Sequence, residues 1–312
     1  MSKYKNEHLD CVLKSHKIEN NETLMIAYRA KRDEVREQLK AKYAGRIYRV
    51  LHSGSYKKFT GINIKFDMDL VIPFRRNEAG TLEELYNELF TYFNEEYGKI
   101  DSSLRSVKRQ KVAIGLEFYV DGEILDLDIV PGREIGDYEK DGDLNLYLNN
   151  INGEKGATLK TNIQKQIDNI SGNSEARDVI KLLKVYKRQN NEAIKSFVIE
   201  LMVVRALIGY KGDGNIWSKL KHTMTYFKDY MTTARLVDPG NQNNIVSDSL
   251  SAIQKEAIAS RFSNVLQQIE SDEALLKVYF AVNTKYPCEP KRSAYVVNDN
   301  TRADTLNNED FG

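Results

Sequence analysis

The segment "KVAIGLEFYVDGEILDLDIVPG", residues 111–132, constrains the fold more than any other part of the sequence. It contains two short runs that are rich in β-branched and aromatic residues, as strands are. Asp121 and Gly122 separate the runs, and an Asp-Gly pair in this setting is a strong signal for a tight hairpin. The two runs are therefore expected to be antiparallel neighbours in a sheet.

The remaining sequence predicts an α+β chain. Two further strands are expected in "RIYRVLHSG" (46–54) and "KFDMDLVIPF" (65–74), with a long helix from about residue 21 to 43, capped by an Asn, and an amphipathic helix over 81–98. From about residue 161 the pattern is helical and predicts a bundle with helices at 175–190, 193–209, 218–236, 249–271 and 272–283. We expect a catalytic lobe at 1–160, a helical lobe at 161–285 and a flexible tail at 286–312.

Charge and cysteine usage exclude several classes of protein. The net charge is +1, so no global field attracts nucleic acid or anionic lipid, although local basic clusters such as Lys57 and Lys58 could do so. The two cysteines have no CxxC or Cys/His spacing, which argues against a zinc site and a disulfide framework. The most apolar run (197–210) is short and contains Glu200 and Arg205. We expect a cytoplasmic protein that does not insert into a membrane.

Two strands carry paired aspartates on one face. Asp67 and Asp69 are two residues apart, as are Asp126 and Asp128, and residues i and i+2 of a strand point the same way. Clustered carboxylates repel one another unless they are protonated or bind a cation. Three of them suit two magnesium ions spaced about 3.5–4 Å apart, the arrangement used for phosphoryl transfer.

The segment "SGSYKK" lies just before the first aspartate pair. Its backbone N–H groups and the Ser55 hydroxyl are suited to binding a triphosphate. A single Asp-x-Asp is most often a solvated strand face, and a single Gly-Ser is most often a turn. The ordered set of turn, aspartate pair and later aspartate favours chemistry over these alternatives.

This set resembles the polymerase-β-like nucleotidyltransferases. The whole chain resembles the bacterial CD-NTases, enzymes related to cyclic GMP-AMP synthase and oligoadenylate synthetase that make cyclic oligonucleotide signals in anti-phage (CBASS) defence. The resemblance implies that Gly54 and Ser55 form the phosphate-binding turn. It also implies that Asp67, Asp69 and Asp128 hold two Mg²⁺ ions, or Mn²⁺ as a substitute, with Asp126 an outer-shell candidate.

Two helical segments extend the resemblance. "IKLLKVYK" is similar to the family helix whose lysine contacts the donor triphosphate, which implies that role for Lys184. "IKSFVIELM" is similar to the next helix, which implies that Ser196 binds phosphate and Phe197 stacks on the donor base. Solvent face and hydrophobic core are the competing interpretations of these residues. "VDPGNQNNIVSD" resembles a late family loop, or is a plain turn between helices.

The resemblance implies a cyclic oligonucleotide synthase that joins nucleoside triphosphates, makes a di- or trinucleotide and needs no nucleic acid. The alternatives are a nucleotidyltransferase acting on RNA or another acceptor, and an inactive nucleic-acid-binding scaffold. Some relatives of this family are attached to target molecules through their C-terminus by a ubiquitin-like E1/E2-type partner. The resemblance therefore makes Gly312 a candidate attachment point. The alternative is that the polar tail ends in glycine by chance.

Overall fold

A computed structural model describes residues 2–77, 80–149 and 156–288. The helices are α1 (Ser2–Ser15), α2 (Glu22–Lys42), α3 (Gly54–Lys57), α4 (Leu82–Thr91), α5 (Gly98–Ile100), α6 (Tyr138–Asp141), α7 (Ile163–Ser171), α8 (Ser174–Gln189), α9 (Ser196–Leu207), α10 (Ile216–Tyr230), α11 (Ala252–Ser271) and α12 (Leu276–Tyr279). The strands are β1 (Leu51–Ser53), β2 (Met68–Phe74), β3 (Leu104–Arg109), β4 (Ile114–Val120), β5 (Glu123–Glu134), β6 (Asp143–Leu148), β7 (Ala157–Asn162), β8 (Val237–Asp238) and β9 (Asn241–Ile245).

Seven of these strands form one mixed sheet. Its main path runs β1-β2-β5-β4-β3, and β6 and β7 extend it from the end of β5. The β2 and β5 strands are parallel, whereas the other neighbouring pairs are antiparallel. Parallel neighbours cannot be joined by a tight turn, so α4, β3 and β4 lie between β2 and β5 in the chain. The order places the two aspartate-bearing strands side by side.

The hairpin and the long helix agree with the sequence predictions. The β4 and β5 strands pair antiparallel around Asp121 and Gly122, whose φ angles of 51° and 87° are those of a two-residue hairpin turn. The α2 helix starts after Asn21, whose side chain accepts a hydrogen bond from the backbone N–H of Leu24. This bond satisfies one of the free N–H groups of the first turn.

Several elements were missed or differ from the predictions. The sequence patterns did not indicate α1, β3, β6 or β7. The helical pattern predicted from about residue 161 includes α7 but did not define it as a separate helix. The helix predicted over 81–98 is α-helical only to Thr91 and continues as a π-helix over Tyr92–Tyr97. The helix predicted over 272–283 was wrong in extent, because only a 3₁₀ turn at Glu273–Leu275 and α12 form there.

Two large hydrophobic cores underlie the two lobes. One lies between the sheet, α2 and α4, and includes Leu70, Ile72 and Phe118. The other lies among α8 to α11, and α1 adds Leu9 and Val12 to it by packing on α8 and α10. The predicted division of the chain into lobes at residues 160/161 stays a prediction. The α1 helix, which precedes this boundary in sequence, packs with the helical lobe.

Both cysteines are free thiols, and the fold brings them together. Burial and a contact with Cys288 raise the pKa of the Cys11 thiol to about 11. Among the described helices, none combines the length and apolar character needed to cross a membrane.

Candidate active site

A cavity of about 360 Å³ lies between the two lobes. The sheet lobe lines it with the 54–62 segment and with Asp67 and Asp69, and the helical lobe lines it from α7, α8 and α9. Five of the predicted site residues lie in its wall besides the two aspartates: Gly54, Ser55, Lys184, Ser196 and Phe197.

The aspartates are brought together by strand pairing. Asp69 of β2 and Asp128 of β5 are register partners in the parallel pair, and Asp67 stands one residue before β2 begins. Burial, followed by the charges of Asp67 and Asp128, raises the pKa of Asp69 to about 7. Burial and the charge of Asp67 raise the pKa of Asp128 to about 6. The three carboxylates therefore act on one another electrostatically.

The phosphate-binding turn predicted at Gly54 and Ser55 is built against the same aspartates. Ser53 is the register partner of Asp69 in the antiparallel β1 and β2 pair, and α3 starts at the next residue. Gly54 has φ of +65°, and a Cβ atom there would lie 1.6 Å from Oδ2 of Asp69. Only glycine satisfies both the left-handed backbone and this close approach.

Gln110 is a site residue that the sequence analysis missed. It lies in the turn between β3 and β4, and its side-chain amide donates a 2.8 Å hydrogen bond to Oδ1 of Asp128. This bond favours the ionised carboxylate and opposes the effects of burial and of Asp67 on the pKa of Asp128. Gln110 thus orients one of the three carboxylates.

The carboxylate set is chemically suited to hard divalent cations. Its donors are oxygens. Burial first, and then the neighbouring carboxylates, raise the pKa values of Asp69 and Asp128, so a bound cation would favour their ionised forms. Within residues 2–77, 80–149 and 156–288, no three His, Cys, Asp or Glu side chains already form a metal-enclosing group. Asp67, Asp69 and Asp128 are the residues that would hold such an ion.

The helical-lobe wall of the cavity carries positive charge. Lys187 of α8 donates a 3.3 Å hydrogen bond to the Ser196 hydroxyl at the start of α9. Burial, then the charges of Arg188, Lys184 and Lys65, lower the pKa of Lys187. These cations and the Gly54 turn face one cavity, which is an arrangement suited to a polyphosphate.

Comparison with known proteins gives structural matches. No protein-family model and no curated protein matches the sequence. The structure of E. coli MS115-1 CdnC with ATP matches with a TM-score of 0.71 at 19% identity, covering 91% of this chain and 99% of that one. The CdnC:HORMA-deltaN complex matches with a TM-score of 0.66 at 19% identity over 84% and 92%. Vibrio cholerae DncV, a cyclic AMP-GMP synthase and prokaryotic cGAS homolog, matches with a TM-score of 0.59 at 13% identity over 77% and 70%.

The chain has the fold of the bacterial cGAS-like nucleotidyltransferases. The predicted α+β class, with a nucleotidyltransferase sheet followed by a helical lobe, is confirmed. The roles that the resemblance implies for individual residues stay predictions.

Within this fold, Lys184 has a more constrained place than the sequence suggested. Its ammonium group is buried and donates to Glu200 at 2.9 Å and to the Thr60 hydroxyl at 2.9 Å. Phe197 is half-buried: it packs on the helical core and lies 5.1 Å below the ammonium group of Lys58. Both core and cavity interpretations of Phe197 therefore have a structural basis.

Lys58 and Glu200 are further residues of this wall that the sequence analysis did not assign to the site. The available signal for Glu200 was a single acidic residue inside the apolar run of α9, where an unpaired charge would be costly. The sequence around Lys58 gives no such indication, because the adjacent pair Lys57 and Lys58 is typical of a solvent-exposed surface. The structure buries Lys58, so this pair does not form a surface basic cluster.

Proposed function

We propose that the protein is a nucleotidyltransferase that joins nucleoside triphosphates, releases pyrophosphate and closes the product into a cyclic di- or trinucleotide. The observation that carries this proposal is the placement of Asp67, Asp69 and Asp128 beside the Gly54–Ser55 turn. The fold of a known cyclic AMP-GMP synthase and of an ATP-bound neighbour supports it.

The residues of the cavity, and Asp128 beside it, have distinct proposed roles. Ser55 and the amides of its turn bind the phosphates of the donor, together with Ser196 and the cations of α8. Phe197 stacks on the donor base. Asp67, Asp69 and Asp128 hold two Mg²⁺ ions, which Mn²⁺ can replace. When bound, such ions lower the pKa of an acceptor hydroxyl and balance charge on the phosphates.

Ring closure requires the same cleft to be used twice. After the first condensation, the linear product is repositioned so that its own hydroxyl faces the remaining triphosphate. The lobes supply the alignment, which contributes much of the rate in reactions of this kind. This chemistry needs neither a primer nor a nucleic-acid template.

The decisive experiment is incubation of the purified protein with all four nucleoside triphosphates and Mg²⁺, without primer, followed by mass spectrometry. A cyclic oligonucleotide that wild-type protein forms and the Asp67→Asn/Asp69→Asn variant does not would support the proposal. Extension of added RNA without a cyclic product would favour the RNA-modifying alternative. Absence of any nucleotide transfer would favour the inactive scaffold.

A cytoplasmic role in anti-phage signalling is part of the proposal, and CdnC, captured with HORMA-deltaN, makes a protein partner a reasonable expectation. Conjugation by a ubiquitin-like E1/E2-type partner is proposed at Gly312, which lies outside the described residues. Co-expression with the neighbouring genes and intact-mass analysis tests it. An adduct that persists in Gly312→Glu protein would exclude Gly312 as the attachment point.

A further inference from the structure

A buried ion cluster joins the two lobes behind the phosphate-binding turn. The carboxylate of Glu200 in α9 accepts from Lys58 at 2.9 Å through one oxygen and from Lys184 at 2.9 Å through the other. The Thr60 hydroxyl accepts from Lys184 at 2.9 Å and donates to Glu200 at 3.3 Å. We call Lys58, Thr60, Lys184 and Glu200 the clasp.

The clasp is buried and carries an excess positive charge. Its exposed fractions are 7% for Lys58, 0% for Thr60, 7% for Lys184 and 4% for Glu200. Burial opposes ionisation of Glu200, but the two lysines outweigh burial and lower the pKa of its carboxyl. Two ammonium groups thus share one carboxylate, in the wall of a cavity suited to a polyphosphate.

The backbone of the turn is arranged around the clasp. The N–H of Lys58 donates to the carbonyl of Gly54 at 3.2 Å, and the N–H of Thr60 donates to the carbonyl of Ser55 at 2.9 Å. Phe59, between them, has φ of +57° and is 61% exposed. A left-handed conformation is unfavourable for a bulky residue. The left-handed conformation of Phe59 occurs where the side chains of its two neighbours, Lys58 and Thr60, both bond to Glu200.

We propose that Glu200 is a counter-ion that holds Lys58 and Lys184 before substrate binds and competes with the triphosphate of the substrate for these two ammonium groups. The inference rests on the proposed function and deepens it. Glu200 links the two lobes before substrate binds, and it pairs again with the lysines when pyrophosphate leaves. It is a positioning residue that limits affinity for polyphosphate.

The test is the affinity of Glu200→Gln protein for inorganic tripolyphosphate, measured by calorimetry in EDTA. We expect roughly tenfold tighter binding than in wild type, because a negative charge facing the ligand is removed. We also expect a lower melting temperature without ligand, since two buried ammonium groups lose their counter-ion. A merely structural role would lower the melting temperature without tightening binding.

Glu192→Gln is the matched control. Glu192 accepts from Arg261 at 2.9 Å and from the Tyr186 hydroxyl at 3.1 Å in the same lobe, and it does not line the cavity. This variant should lose stability and keep wild-type affinity for tripolyphosphate. Unchanged or weaker binding by folded Glu200→Gln protein overturns the proposal, as does absence of tripolyphosphate binding in both wild type and variant.

If Glu200→Gln protein does not fold, the comparison moves to a Lys58→Met background, which removes the excess buried charge. There, Glu200→Gln should still tighten tripolyphosphate binding, and no gain overturns the proposal. The binding measurement needs no metal and no product. The counter-ion role of Glu200 and the proposed synthase activity can therefore be refuted independently of each other. Tighter binding without cyclic product refutes the proposed activity alone, whereas cyclic product without tighter binding refutes the role of Glu200 alone.

Discussion

Gly54 and Asp69 lie so close that a Cβ atom on the glycine would stand 1.6 Å from Oδ2 of the aspartate. The phosphate-binding turn and the central carboxylate therefore form one packed unit rather than two adjacent motifs. Any side chain at position 54 must displace Asp69 or move the turn. This relationship gives a direct test of whether the two must be held together for activity.

We expect Gly54→Ala to reduce nucleotide incorporation by at least about 100-fold, because misplacing a reacting group by about 1 Å can have that effect. Gly45→Ala is the control, since Gly45 has a similar φ of +77° and nothing within 4 Å of its added Cβ. Gly45→Ala should lose roughly 1 kcal/mol of unfolding free energy from the left-handed backbone. Gly54→Ala should lose more, because its Cβ atom must also displace Asp69 or move the turn. Full activity in Gly54→Ala would contradict the close contact.

We expect the Asp67→Asn/Asp69→Asn variant to fold and to lose incorporation by several orders of magnitude. Both side chains are proposed metal ligands, and electrostatic stabilisation and alignment dominate catalysis of this type. Circular dichroism and a thermal melt check the fold, and mass spectrometry of the nucleotide products checks the activity. Normal product formation in Mg²⁺ would refute the two-metal interpretation.

The contribution of Asp69 to the stability of the metal-free protein should fall as pH rises from 4 to 8. The folded state raises the pKa of Asp69 to about 7, so its favourable contribution is full below the unfolded pKa and is lost as pH rises through 7. One pKa unit corresponds to about 1.4 kcal/mol, so roughly 2–4 kcal/mol is involved at pH 8. Asp69→Asn should therefore be more stable than wild type at pH 8 in EDTA.

Urea denaturation at pH 5 and pH 8 measures this effect. Asp121→Asn is the control, because Asn-Gly suits the same hairpin turn and Asp121 is exposed. It should leave the pH dependence unchanged. Equal pH dependence of the unfolding free energy in wild type and Asp69→Asn would contradict the raised pKa of Asp69. Added Mg²⁺ should increase the stability of wild type at pH 8.

Phe197→Leu should weaken ATP binding by about 1–3 kcal/mol, the range for loss of an aromatic stacking partner. Leucine keeps an apolar side chain on the helical core, so the free energy of unfolding should change little. Phe262→Leu, in the buried core at 3% exposure, should do the reverse. A large loss of stability with normal ATP affinity in Phe197→Leu would identify Phe197 as a core residue.

The sequence predicted the parts of the fold that interactions between residues close in sequence determine. The Asp121-Gly122 turn and the Asn21 cap act within a few residues, through backbone conformation and a hydrogen bond. The elements that were missed lack such signals. In β3 the exposed positions carry Arg and Lys, and α1 buries Leu9 and Val12 in the core with Leu13 packed at its edge, so neither shows a clear apolar period.

The sequence by itself determined that Asp67 and Asp69 lie two residues apart, which predicts a shared face if both belong to one strand. In the structure β2 begins at Met68, so strand geometry fixes the direction of Asp69 alone. Only the tertiary structure decided that Asp128 stands beside Asp69, since parallel pairing of β2 with β5 depends on a crossover through α4, β3 and β4. It also decided that Lys58 meets Glu200, 142 residues away. A buried charge is costly unless it is paired, so such residues need partners, but the neighbouring sequence does not indicate which residue the partner is.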